Sequence, residues 1–147
     1  MLAYQRMQNW RRRPFPQRKN ARLYQARIGQ GAYRREVLKL EPKCRLTGVS
    51  DPGFLVASHI KPWRHSSHAE RLDGHNGLML APHVDRLFDQ GWISFQNNGD
   101  LLVREAALAT LRAWGLPERE NVGAFSAQTA EYLQFHREMV FRAERVD

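Results

Sequence analysis

The chain has 147 residues, 42% of them apolar, which suits one domain around one core and excludes disorder by composition. Its single cysteine, Cys44, excludes an intramolecular disulfide and a four-cysteine zinc knuckle, so a metal has to be held by His, Asp, Glu or Asn. The 23 Lys and Arg outnumber the 15 Asp and Glu for a net charge of +8, and residues 1–35 hold ten of the basic side chains and no acidic one.

That basic segment includes Arg11, Arg12, Arg13, Arg18, Lys19, Arg34 and Arg35, interleaved with Tyr4, Trp10, Phe15, Tyr24 and Tyr33. Clustered cations release counterions from a polyanion and dominate non-specific affinity for nucleic acid. The same composition also suits a solvated arm that only improves solubility. Residues 1–26 are expected to form a basic N-terminal arm and 27–147 the folded domain. No apolar stretch has the length of a signal peptide or a membrane span, so a soluble, cytoplasmic chain without a membrane partner is expected.

In chain order, two helices are expected at about 20–29 and 31–41, broken near Gly29 and Gly31 and stopped by Pro42. Phe54-Leu55-Val56-Ala57 is expected to be a short buried strand, followed by a long polar loop from His59 to His75. A second strand, Leu78-Met79-Leu80, precedes a helix opened by Pro82 and ended by Gly91. Trp92-Ile93-Ser94-Phe95, an Asn98-Gly99 turn and Leu101-Leu102-Val103 make a β-hairpin. Helices at about 105–114 and 126–144 close the core, the latter with Leu133, Met139 and Val140 inward.

Four ordered fragments carry a family resemblance: Cys44-Arg45-Leu46-Thr47-Gly48, Ala57-Ser58-His59-Ile60-Lys61-Pro62-Trp63, Asn76-Gly77-Leu78-Met79-Leu80 and Leu87-Phe88-Asp89-Gln90-Gly91. Together they resemble an HNH endonuclease, closest to the restriction-type branch. Arg27-Ile28-Gly29-Gln30 and His136-Arg137 extend the likeness over roughly 27–141. The resemblance implies an α+β fold built on a ββα-metal finger with flanking helices and a β-hairpin. It also implies metal-dependent hydrolysis of DNA phosphodiester bonds, with DNA as partner and a homodimer as one arrangement open to the chain.

Within that resemblance His59 takes the place of the general base, where a pKa near neutrality lets imidazole accept a proton from water. Asn76 takes that of the brace for the loop that orients His59. The third position, nine residues after Asn76, is Asp85 where many members have a histidine. His83 is the nearest imidazole, but two helical positions differ by about 200°, so His83 and Asp85 cannot both face one ion. Asp85 and Asp89 share a face at i, i+4. Carboxylates suit Mg²⁺ or Mn²⁺, while a His83 site would tolerate Zn²⁺ or Ni²⁺. Ser58 stands where relatives often have an Asp ligand. Lys61, Arg64, Arg71 and Arg86 are candidate phosphate contacts, or surface salt-bridge partners. His65 and His68 have chelate spacing, but in a Ser-rich loop they and His75 read better as solvated. Two other functions compete with cleavage. One is a non-catalytic DNA-binding or assembly module that keeps the fold; the other is a protein that binds no nucleic acid and carries the motif by accident.

Overall fold

The computed structural model describes residues 21–141, with side chains from Gly29 onward. Arg11, Arg12, Arg13, Arg18 and Lys19 lie outside the described residues. The architecture is α+β, with two separate antiparallel two-stranded sheets set among helices.

Helix α1 runs unbroken over Ala21–Leu40, so the expected break at Gly29 and Gly31 is absent. Each helical glycine costs about 1 kcal/mol against alanine. Tyr33 and Val37, one turn apart on one face, are both buried in the core, and burial of two such side chains stabilises by about 1.5–3 kcal/mol each. Packing therefore outweighs the local preference.

Phe54 is not in the first strand. Asp51 accepts a hydrogen bond from the Gly53 N–H and Pro52 opens a 3-10 turn, Pro52–Phe54, which leaves the Phe54 side chain 68% exposed. Strand β1 follows at Val56–His59 and pairs antiparallel with β2 at Gly77–Leu80, with Val56 opposite Leu80 and His59 opposite Gly77. The segment between them is not the irregular loop expected. It holds a 3-10 turn, Trp63–His65, and a short helix α2, His68–Leu72. A capping box starts α2: Ser67 Oγ accepts from the Glu70 N–H, and the Glu70 carboxylate accepts from the Ser67 N–H.

Helix α3, Pro82–Asp89, turns Val84, Leu87 and Phe88 into the core. It stops at Gly91, which has φ +74°; a Cβ there would also run into the Val140 carbonyl. Strands β3, Ile93–Phe95, and β4, Leu101–Val103, form the expected hairpin around Asn98-Gly99, with Phe95 opposite Leu101. A 3-10 turn, Glu105–Ala107, leads into α4, Leu108–Ala113. The last helix, α5, Ala127–Phe135, is capped by Ser126 and continues as a π-helical segment, His136–Phe141. The wider turn shifts the inward face by about one residue. Met139, expected inside, is therefore 57% exposed, and His136 takes the buried place.

His136 ties this segment to the ββα unit. Its Nε2 lies 2.8 Å from the Phe88 carbonyl, its Nδ1 lies 2.8 Å from Ser94 Oγ, and its ring stacks on Phe88 at 3.8 Å. Burial pushes its pKa down from 6.5 to about 4, against the opposing effect of the Phe88 carbonyl. The unfolded chain then binds a proton that the folded chain refuses, so this contribution is complete above pH 6.5 and lost as pH falls toward 4. The loss amounts to about 3 kcal/mol. Urea unfolding of the wild type and His136→Gln across that window should show this extra slope in the wild type alone. Parallel curves would remove His136 as the titrating group.

Candidate active site

The site is assembled where β1 ends against β2. Because Gly77 faces His59 across the ladder without a side chain, α1 approaches closely enough for Tyr33 to lie on the imidazole. The two rings are parallel within 7°, with centroids 3.9 Å apart. A Cβ on Gly77 would overlap the Tyr33 hydroxyl and a Val37 methyl. Gly77→Ala should thus destabilise by about 1–3 kcal/mol, as overpacked cores do, with the thermal melting midpoint as the measure; an unchanged midpoint would mean that α1 yields freely.

His59 Nε2 lies 2.9 Å from the Arg71 carbonyl oxygen. A carbonyl can only accept, so Nε2 carries the proton and Nδ1 is left with its lone pair. Burial lowers the His59 pKa from 6.5; the Arg71 carbonyl opposes this and the Arg71 charge adds to it. Neutral imidazole with a basic Nδ1 is the resulting form at neutral pH. Trp63 meets the ring edge-on at 5.7 Å. The histidine opens into a cleft of about 410 Å³ that Gln30, Tyr33, Arg34, Ala57 and Trp63 also line.

Asn76 is 0% exposed, and its whole amide is used. Oδ1 accepts from the Lys61 N–H at 2.8 Å, while Nδ2 donates to the Glu70 carbonyl at 3.0 Å and to Ser66 Oγ at 3.3 Å. Its backbone carbonyl accepts from the Tyr33 hydroxyl at 2.7 Å. One buried side chain thus links the start of the 60–76 segment to α2, whose Arg71 carbonyl holds His59.

Asp85, in the first turn of α3, is half-buried beside Ser58. Burial raises its pKa, the Ser58 hydroxyl that donates to it lowers it, and the charge of Asp89 one turn on raises it. The net rise marks a carboxylate short of positive partners. His83 is not brought to this pair; its ring packs edge-on against Trp114 at 5.8 Å. Among the described residues no three His, Cys, Asp or Glu side chains converge as a closed metal site. The candidate donors are the carboxylate oxygens of Asp85 and Asp89, hard ligands on one helix, one half-buried and one exposed. That set fits a Mg²⁺ or Mn²⁺ ion that keeps most of its waters for exchange with phosphate oxygens, and it does not fit a four-ligand zinc site.

The predicted phosphate contacts divide. Arg34 is tied into the fold through the Leu55 and Pro52 carbonyls at 2.9 and 2.6 Å, and Lys61 pairs with Glu70 at 2.9 Å. Arg71 donates to the Trp63 carbonyl and lies 4.4 Å over its ring. Arg35, Arg64 and Arg86 are exposed. His65 packs against Phe135, His75 bonds to Asp73 and His68 is exposed. Tyr33 is the site residue that sequence reasoning missed; its one-turn spacing from Val37, with Gly77 beside Asn76, was the available signal.

Residues 44–96 match the family model of the HNH endonucleases. This segment is similar to that family. A solved structure described as a modification-dependent TagI restriction endonuclease superposes with a TM-score of 0.42 at 14% identity. The alignment covers 77% of this chain and 36% of that one, so the chain spans little more than a third of that protein. No curated protein matches the chain. The HNH match takes in His59, Asn76, His83, Asp85 and Asp89, but not Tyr33, which α1 adds from outside the matched segment.

Proposed function

We propose that the chain is a metal-dependent DNA endonuclease of the restriction type, with His59 as general base. The observation that carries this reading is the bond from His59 Nε2 to the Arg71 carbonyl, which leaves Nδ1 with its lone pair on a histidine that lines an open cleft. Nδ1 takes a proton from water as the water oxygen attacks phosphorus in line; the bond to the 3′ oxygen breaks, and that oxygen leaves with a proton from solvent. Asn76 and Tyr33 hold the imidazole in one orientation, so little freedom is lost at the moment of reaction. Asp85 and Asp89 would hold the divalent cation. Bound there, the cation supplies charge neutralisation at the phosphate and at the departing oxygen.

The basic residues within 1–26 act in this reading on the phosphate backbone, with Arg35 and Arg64 as further contacts on the domain. The Ser58 hydroxyl on Asp85 favours the second reading, a DNA-binding or assembly module that does not cut. Supercoiled plasmid incubated with the chain and Mn²⁺, Mg²⁺ or EDTA separates the two. Nicked or linear product with the ions and none with EDTA is expected, whereas retarded but uncut plasmid under all conditions establishes the module.

A further inference from the structure

Beside the His59 cleft lies a second, larger one of about 550 Å³, lined by Pro62, Trp63, Arg64, His65, Asp89, Gln90, Arg104, Met139 and Val140. The His59 cleft is lined in part by the same Trp63. One indole therefore stands between the candidate base on one side and Asp89 on the other. The hydrolytic chemistry uses this ring only where it meets His59 edge-on at 5.7 Å.

The indole is 46% exposed, yet its mount is rigid. Pro62 precedes it, the Ser66 hydroxyl lies 3.0 and 3.1 Å from the Lys61 and Pro62 carbonyls, and Arg71 Nε donates to the Trp63 carbonyl at 3.0 Å. The Arg71 guanidinium lies 4.4 Å from the ring centroid. A large apolar surface held firmly and left in water between two clefts is poorly explained by packing and well suited to a flat ligand. The wall beyond it brings the exposed Arg64 for phosphate and the exposed thioether chain of Met139 for an apolar edge.

We propose that Trp63 is a stacking platform for an unstacked nucleobase of the DNA strand, one nucleotide from the phosphate that is cut, with the cleft of Arg64 and Met139 receiving that base. The proposal rests on the endonuclease reading for the position of the cut, but stacking itself is a binding property that needs no cleavage. Base–aromatic stacking lost to alanine weakens binding of an unpaired base by about tenfold, within a range of about 5- to 150-fold. A fully paired duplex, whose bases stay stacked on one another, should respond by less than about twofold.

The test is equilibrium binding of the full chain in EDTA to two fluorescein-labelled duplexes, one fully paired and one with a single unpaired base at its centre. The wild type should prefer the second, and Trp63→Ala should erase the preference with little change toward the first. Trp63→Tyr should restore most of it, because the phenol ring still stacks. With 2-aminopurine as the unpaired base, wild type should quench its fluorescence and Trp63→Leu should leave it bright. Equal losses on both duplexes, an unaltered preference in Trp63→Ala, or no binding of either duplex would each overturn the platform. Plasmid that stays intact with Mn²⁺ while the preference persists sinks the endonuclease reading instead, so the two failures are distinguishable.

Discussion

His59→Ala should lower plasmid cleavage by about 10²–10⁴-fold while DNA affinity stays within a factor of about two, because a general base contributes that range to the chemical step and little to binding. The imidazole is fixed on three sides, by Tyr33 beneath it, the Arg71 carbonyl at Nε2 and Trp63 at its edge. Removing it costs the Tyr33 stack, worth about 0.5–1.5 kcal/mol, so melting curves have to accompany the kinetics. The pH profile is a second readout. A base works only when neutral, and burial lowers this pKa from 6.5, so the wild-type rate should persist below pH 6.5 and its acid limb should have a midpoint under that value. The residual activity of His59→Ala should lack that limb. Wild-type rates from the folded variant, or a limb that stays where it was, would assign proton removal to another group.

The parts of the site that the sequence made legible are those whose cause is local. Pro82 opens a helix because its ring fits the first turn, and Gly91 ends it because the chain needs a positive φ there, so the span of α3 follows from two residues. The i, i+4 relation of Asp85 to Asp89 follows from that span. Helix α2 was equally local, since Ser67 and Glu70 form a capping box at three-residue spacing, and it was hidden only by the polar composition around it. What the sequence did not make legible depends on long-range packing. The continuity of α1 through Gly29 and Gly31 is decided by Tyr33 and Val37 against the finger, 20 or more residues away along the chain. The same packing puts Tyr33 on His59, a contact that no spacing rule within the HNH fragments encodes. The outward turn of Met139 follows from a π-helical segment whose only local mark is a histidine bonded to Phe88 and Ser94.

Asp85→Ala should abolish Mn²⁺ binding measured by calorimetry, Asp89→Ala should weaken it by about tenfold, and His83→Ala should leave it unchanged. The ordering follows from burial and direction. Asp85 is half-buried beside Ser58 with its pKa raised, first by burial and then by Asp89 after the partial relief from Ser58. A cation placed between carboxylates about 6 Å apart along the helix axis relieves both penalties at once. Asp89 is exposed, so water already screens its charge and its loss should cost less. His83 turns to Trp114, and its removal should appear in the melting midpoint, worth up to about 1 kcal/mol for an edge contact, rather than in the titration. Ser58→Ala is the informative companion. Without the hydroxyl, the Asp85 carboxylate loses the one hydrogen bond that lowers its pKa, so protons should compete with Mn²⁺ at higher pH than in the wild type. If His83→Ala lost the ion while Asp85→Ala kept it, an imidazole would have to leave Trp114 and face the base. The site would then be a His-Asn-His one, open to Zn²⁺ or Ni²⁺, and Asp85 would be left as a half-buried partner of Ser58 alone.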